Sequence, residues 1–192
     1  MTTPEPPDTD EALTAWDDAL TEAGWTPQPV QEVPAYLAGL RHLIDPAGAV
    51  EARACAYPEE TVEVTLLSTA RLAAGGAAWH VIAGWLSPET VIAAARAAED
   101  AAVGQAAGEL LTADGWTLQR YEALSPTLAE YQWASPDDTR WACFTTPDTD
   151  PDAAVGSGGW ILARPGDHGR QQRITASART PAATVAALAL SA

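Results

Sequence analysis

Residues 20–28 read LTEAGWTPQ, and residues 111–119 read LTADGWTLQ. Six of the nine positions are identical in the two stretches. In the first stretch, the glycine–tryptophan pair follows apolar residues at helical spacing, and glycine often ends a helix because it tolerates a left-handed backbone. We therefore expect a helix that ends at Gly24, with Trp25 packed under its end, and an equivalent helix that ends at Gly115.

Two further pairs of motifs keep the same order in both halves of the chain. One is a proline–acid turn, YPEET at residues 57–61 and SPDDT at residues 135–139. The other is Ser-Pro at residues 87–88 and Thr-Pro at residues 180–181, each before an Ala/Val-rich stretch. Motifs that recur in a constant order indicate an internal duplication. We therefore predict two units: 1–103 with an acidic N-terminal helix, and 104–192 with a flexible acidic loop at 146–159.

Alternation of apolar and polar residues predicts the strands inside each unit. These strands are expected at residues 50–57, 61–68 and 78–85, with an earlier one near 36–44, and at residues 127–134, 139–145, 160–164 and 171–179. A helix with proline in its first turn follows the last strand of each unit. The predicted fold class is α+β: an internally duplicated unit of helix, three to four antiparallel strands and a C-terminal helix, forming one pseudo-twofold domain.

Charge and composition limit the classes of partner. The chain has 192 residues, 26 acids against 10 arginines and no lysine, and a formal net charge of -16. Such a field repels polyanions and disfavours generic nucleic-acid binding. No apolar run approaches the roughly 18 uncharged residues of a membrane span. The first ten residues have neither a basic start nor an apolar segment, so we expect no signal peptide and a cytoplasmic protein.

A local excess of arginine in the second unit is the one cationic feature of the sequence. Residues 160–179 hold four arginines against Asp167 alone. Strand alternation in residues 171–179 places Arg173, Thr175, Ser177 and Arg179 on one face. Proteins that bind single strands combine such a cationic surface with aromatic platforms for the bases. The candidate binding residues are therefore Arg140, Trp160, Arg164, Arg173 and Arg179, and a solvated sheet face is the alternative interpretation.

The order of motifs resembles the actinobacterial domain-of-unknown-function 317 family. The resemblance rests on Gly-Trp, the turn SPDD at residues 135–138, a strand that contains tryptophan, and Thr-Pro at residues 180–181 before an Ala/Val helix. It covers most of the chain and implies a link to mobile elements and plasmids, with no catalytic residues to transfer. Repeated units of four strands and a helix also resemble the Whirly-type fold, which implies single-stranded DNA binding.

The sequence offers no motif for catalysis or metal binding. His42, His80 and His168 are isolated from one another, without the spacing of metal ligands. Cys55 and Cys143 are expected to be buried free thiols. We therefore expect no cofactor and no metal, and a non-enzymatic binding protein with a protein partner. The alternatives are a single-stranded nucleic-acid binder that uses the second-unit sheet and an acidic DNA mimic. His80 or His168 hydrogen-bonded to a carboxylate in a pocket would indicate an enzyme.

Overall fold

A computed structural model describes residues 9–30, 39–57, 62–73, 75–99, 105–125, 128–147, 158–165 and 171–191. The helices are α1 (Thr9–Glu22), α2 (Pro88–Arg96), α3 (Gln105–Ala113) and α4 (Ala182–Leu190), and a short 3-10 helix (Ala97–Glu99) follows α2. The strands are β1 (Thr26–Pro27), β2 (Arg41–Ile44), β3 (Val50–Ala56), β4 (Val62–Ser68), β5 (His80–Ala83), β6 (Thr117–Ala123), β7 (Ala129–Ala134), β8 (Trp141–Thr145), β9 (Gly159–Pro165) and β10 (Gln171–Ser177). The predicted α+β class is confirmed.

All ten strands form one antiparallel sheet, in the order β1-β2-β3-β4-β5-β10-β9-β8-β7-β6. Strands β1 to β5 run in chain order from one edge to the centre, and β6 to β10 run from the other edge, so the halves meet where β5 pairs with β10. Each half consists of a helix, five strands and a helix, where three to four strands were expected. The additional strands, β1 and β6, directly follow Gly-Trp. The duplication of the sequence stays a prediction, and the 103/104 boundary lies outside the described residues.

The two turns at corresponding places in the sheet differ from the pair matched by sequence. The turn at residues 135–140 joins the second and third strands of its half, whereas residue 57 follows the third strand, and residues 58–61 lie outside the described part. The turn that corresponds to SPDD is DPAG at residues 45–48. Gly48 and Asp138 both have left-handed φ angles, +71° and +56°. The similar proline and acidic residues of YPEET and SPDDT therefore do not mark turns at corresponding places in the sheet.

Side-chain capping explains why these two turns close alike. The Oδ1 atom of Asp45 accepts hydrogen bonds from the backbone N–H groups of Ala49 and Val50, at 2.7 and 2.8 Å. The Oγ atom of Ser135 accepts one from the backbone N–H of Arg140 at 3.0 Å. At the first position of each turn, the side chain of Asp45 or Ser135 thus accepts hydrogen bonds from the backbone at the end of the turn.

The four helices cover one face of the sheet. Val64, Ala83, Ile174, Leu162, Ala142 and Trp133 lie directly opposite one another across six strands and are all buried. Leu13, Trp16 and Leu20 of α1 are buried, and so are Trp25 and Trp116 after the helix ends. Ser87 caps α2, and Pro88 lies in the first turn of this helix, as predicted. We call the opposite side of the sheet the open face, because no helix of the described residues covers it.

Candidate binding cleft on the open sheet face

The open face carries an amphipathic mixture of side chains. One row crosses nine of the ten strands: His42, Arg53, Thr65, Ile82, Thr175, Ile161, Cys143, Gln132 and Arg120 lie opposite one another in register. Ile82 and Trp141 on this face are both 38% exposed. Apolar and polar groups together on an uncovered sheet face are typical of an interaction surface.

Trp160, a predicted binding residue, lies in the core on the helix side. Its side chain is 1% exposed, with ring centroids 4.7 Å from Phe144 and 5.6 Å from Trp133. Trp133 is buried as well. Aromatic rings in such a cluster stabilise the core by packing and are closed to an incoming base. Trp160 therefore does not belong to the open face.

Arg140 and Arg164 contact the C-terminal end of α4. Arg140 Nη1 donates to the carbonyl oxygens of Ala189 and Leu190, at 3.4 and 3.3 Å. Arg164 Nη1 donates to Ser191 Oγ at 2.6 Å, and its Nε donates to Gln172 Oε1, also at 2.6 Å. Burial, and then the nearby charge of Arg140, lower the pKa of Arg164.

The end of α4 explains why these two arginines are drawn to the helix side. The last turn of α4 has no basic residue of its own, and its terminal carbonyl groups carry partial negative charge. The arginines supply the missing donors. Arg140 and Arg164 therefore stabilise the fold and do not lie on the open face.

Arg173 occupies the open face, as strand alternation predicted. Ile174 and Ala176 are buried on the helix side, whereas Arg173 is exposed on the other side of β10. Arg179 is exposed in the turn between β10 and α4, beyond the end of the strand. Of the five predicted binding residues, Arg173 alone lies within the sheet on this face.

A cleft of about 310 Å³ opens beside Arg173 at the centre of the sheet. Ala83 pairs with Val64 of β4 and with Ile174 of β10, so the next residue, Gly84, lies between Glu63 and Arg173. A glycine at this position leaves the floor of the cleft without a side chain. We call this site the central cleft; it is lined by Tyr57, Val62, Glu63, Ile82, Ala83, Gly84, Arg173 and Thr175. Both halves of the chain contribute to it.

The two walls of the central cleft have opposite electrostatic character. On one wall the Tyr57 hydroxyl donates to Glu63 Oε1 at 3.4 Å. Contact with Cys55, burial and the charge of Glu63 raise the pKa of Tyr57 to about 12, so the phenol stays protonated at neutral pH. On the other wall, the guanidinium of Arg173 makes no hydrogen bond or ion pair with a residue that the structure describes. The cleft thus presents a carboxylate that accepts a hydrogen bond and, among the described residues, a cation without a partner.

A second cluster of charges, centred on Glu51, lies on the open face of the first half. Glu51 is 6% exposed, and its two carboxylate oxygens accept hydrogen bonds from Arg53 Nη2 at 2.7 Å and Arg71 Nη2 at 2.6 Å. His42 Nε2 lies 3.3 Å from Glu51 Oε2. Sequence reasoning missed this cluster. The available signal was the two-residue spacing of Glu51 and Arg53, which puts both on one face of a strand.

The charged groups of the Glu51 cluster hold one another in place through direct contacts. Burial raises the pKa of Glu51, but the hydrogen bond and charge of Arg53, together with Arg71, outweigh it and hold the pKa below its usual value. Burial, and then the charge of Arg53, lower the pKa of His42 below its usual value. The cluster keeps one net positive charge, but both of its arginines are already bound by Glu51, so the central cleft is the better candidate for a ligand.

The remaining candidate groups have structural explanations. Cys55 and Cys143 are buried free thiols. Burial raises the pKa of Cys55 and raises that of Cys143 to about 11, so both thiols are protonated at neutral pH. His80 is exposed, and His168 lies outside the described residues. Among the described residues, no three His, Cys, Asp or Glu side chains are grouped to hold a metal ion. No described helix combines the length and the hydropathy needed to cross a membrane.

No family model, no curated protein and no solved structure matches the chain. The resemblances to the domain-of-unknown-function 317 family and to the Whirly-type fold therefore stay predictions.

Proposed function

We propose that this chain is a non-enzymatic binding protein whose open sheet face binds a segment of a protein partner, with the central cleft as the anchor point. The observation that carries the proposal is the guanidinium of Arg173, which has no partner among the described residues, beside a cleft floored by Gly84. Arginine in a concave site is a frequent anchor of protein interfaces because its planar donors hold a carboxylate in two places.

The chemistry of the two walls defines the segment. Arg173 takes a carboxylate of the partner, and Glu63, on the far side of Gly84, accepts a hydrogen bond from a backbone N–H or a basic side chain. Glu63 on β4 and Arg173 on β10 are separated by strand β5, so their Cα atoms are roughly 10 Å apart. An extended peptide with an acidic residue spans this distance. The exposed Ile82 and Trp141 provide apolar contact beside the charges.

The charge balance of the open face favours a protein over a nucleic acid. Arg120 and Arg53 on this face are already paired with Glu122 and Glu51. Binding of a phosphate backbone needs several available cations, and stacking needs exposed rings. Trp160, the predicted platform, is buried, and so is its neighbour Trp133. A single arginine, Arg173, can bind one anionic group of a protein partner, whereas a nucleic-acid strand would need several such cations.

The resemblance to the domain-of-unknown-function 317 family extends the proposal to the origin of this chain, as a protein encoded with an actinobacterial mobile element. We propose that it acts in the cytoplasm. The acidic face of α1, with Asp10, Glu11 and Asp18 exposed, is the surface on which the alternative of a DNA mimic depends.

A peptide-display selection tests the proposal directly. Random twelve-residue peptides are selected on the wild-type protein, on Arg173→Ala and on Arg96→Ala. Arg96 is the matched control because it is exposed on α2, away from the open face. We expect wild type and Arg96→Ala to enrich peptides that contain Asp or Glu, and Arg173→Ala to bind them at least about tenfold more weakly, the loss of a charge-assisted contact.

Two results would overturn the proposal. One is the absence of any enriched peptide, or enrichment that survives Arg173→Ala unchanged. The other is binding of a single-stranded thymidine oligonucleotide at low salt that is lost in Arg173→Ala, since this would assign the cleft to a nucleic acid.

A further inference from the structure

Strand β6 forms one edge of the sheet, and its side chains are unusually exposed. Six of its seven residues are exposed, and Tyr121 is 59% exposed. The backbone N–H and C=O groups on the outer side of an edge strand are free to pair with another strand. Three further large apolar side chains are exposed at this edge: Leu110, Leu118 and Leu124. A partner strand would cover them.

The sequence of this edge is complementary to itself when reversed. Residues 118–124 read LQRYEAL. About Tyr121 as the centre, Arg120 mirrors Glu122. Two such strands in antiparallel register therefore place Arg120 of one copy opposite Glu122 of the other.

We propose that a second copy of this chain pairs its β6 with β6 across a twofold axis at Tyr121, forming one continuous sheet of two molecules. A twofold contact uses the same patch on both subunits, so the patch must be self-complementary. The antiparallel register sets Arg120 opposite Glu122 of the second copy, twice per dimer. The helices of both copies then lie on the same side of the extended sheet, and both open faces lie on the other.

The local charge pattern on β6 favours this partner. Glu122 pairs in register with Glu130 of β7, which places two carboxylates side by side on the open face. Among the residues that the structure describes, Arg120 is its one cationic partner. In the dimer a second guanidinium reaches Glu122 from the other copy. Edges that reject partners do so with charge of one sign, whereas opposite signs two residues apart attract an inverted copy.

Aromatic packing continues across the same axis. Tyr121 contacts Tyr131 of β7 with ring centroids 5.0 Å apart, and Tyr131 stacks on Trp133 at 5.9 Å. With Tyr121 on the axis, the same ladder begins again in the second copy. The register shift in β6 falls between Leu118 and Arg120, so the three central residues keep regular strand geometry.

Charge reversal with rescue tests the pairing. The wild-type chain is expected to sediment at twice the 20.0 kDa of one chain, with the dimer weakened by salt. Arg120→Glu sets Glu opposite Glu122 and should weaken dimerisation at least about tenfold. The double variant Arg120→Glu with Glu122→Arg restores opposite charges in the dimer and should recover it. A monomeric wild type at all concentrations, or a dimer that Arg120→Glu leaves intact, would overturn the proposal.

Disulfide cross-linking tests the position of the axis. Tyr121→Cys brings two thiols directly opposite each other, at a Cα separation of about 4.5–5.5 Å, which suits a disulfide. The native Cys55 and Cys143 are buried and give little background. Ala123→Cys is the matched control, since it is exposed on the same strand but lies off the axis. Cross-linked dimer from Tyr121→Cys and not from Ala123→Cys is expected; equal cross-linking of both would show that the axis lies elsewhere.

Discussion

Glu63 and Arg173 lie on opposite sides of Gly84 on the open face, each one strand away from it. The spacing of the strands keeps the two charges apart, and the glycine leaves the space between them open, because a side chain at this position would fill it. A cleft of about 310 Å³ remains, and it lies where the two halves of the chain meet.

Gly84→Leu should close the central cleft without unfolding the protein. A Cβ atom at Gly84 meets only the Val62 carbonyl oxygen, at 3.9 Å, and the backbone of Gly84 is not left-handed. We therefore expect the free energy of unfolding to change by less than about 1 kcal/mol. Selected acidic peptides should bind at least about tenfold more weakly. Urea unfolding and a peptide titration measure the two effects; tight peptide binding by Gly84→Leu would contradict the assignment of the cleft.

Gly108→Ala should destabilise the protein although it improves the helix. Alanine is favoured over glycine inside a helix by up to about 1 kcal/mol. A Cβ atom at Gly108 in α3, however, overlaps the buried ring of Trp133. Overpacking of a core costs about 1–3 kcal/mol, and Trp133 is held in place by Tyr131 and Trp160. We expect a net loss of about 1–2 kcal/mol in urea unfolding. Gly84→Ala is the control, and a more stable Gly108→Ala would show that the ring moves freely.

Local patterns predicted the strands and helix ends well. Alternation located β3, β4 and β10, and the Gly-Trp pairs marked the ends of α1 and α3. Gly24 and Gly115 show why: their φ angles of +91° and +87° lie in the left-handed region that glycine adopts at helix ends. The alternation of apolar residues and the backbone conformation of a glycine depend on residues close together in the chain, so both can be predicted from the sequence.

The face on which a side chain lies could not be read from a single strand. Trp160, Leu162 and Arg164 share one face of β9, and an arginine there is ordinarily taken as a sign of solvent. The end of α4 supplies acceptors for Arg164 on the helix side, and α4 is distant in sequence. The central cleft was hidden for the same reason, because Glu63 and Arg173 become neighbours only through the pairing of β5 with β10.

Removal of the charge of Glu51 should destabilise the first half of the sheet. Glu51→Gln replaces two short charge-assisted hydrogen bonds, from Arg53 and Arg71. Both arginines are partly exposed and can be rehydrated, so the expected loss is about 1–3 kcal/mol and not the larger cost of a fully buried pair. Asp17→Asn is the control, since its contact with Arg41 is long, 3.9 Å, and should be worth less than about 1 kcal/mol. Equal losses in the two variants would argue against a cooperative cluster.

The same cluster should make stability fall as the pH drops below neutrality. Burial and the charge of Arg53 hold the pKa of His42 below its ordinary 6.5, so the unfolded chain binds a proton at this histidine before the folded one does. Stability from neutral His42 is therefore complete above pH 6.5 and is lost as the pH falls from there to the folded pKa. Glu51, whose pKa is also lowered, acts in the same direction at more acidic pH. Gln132 occupies the corresponding strand position in the second half of the same row, so His42→Gln is a substitution that this position accommodates. Urea unfolding between pH 7.5 and 5.5 should show wild type losing more stability than His42→Gln; parallel curves would mean that His42 titrates alike in both states.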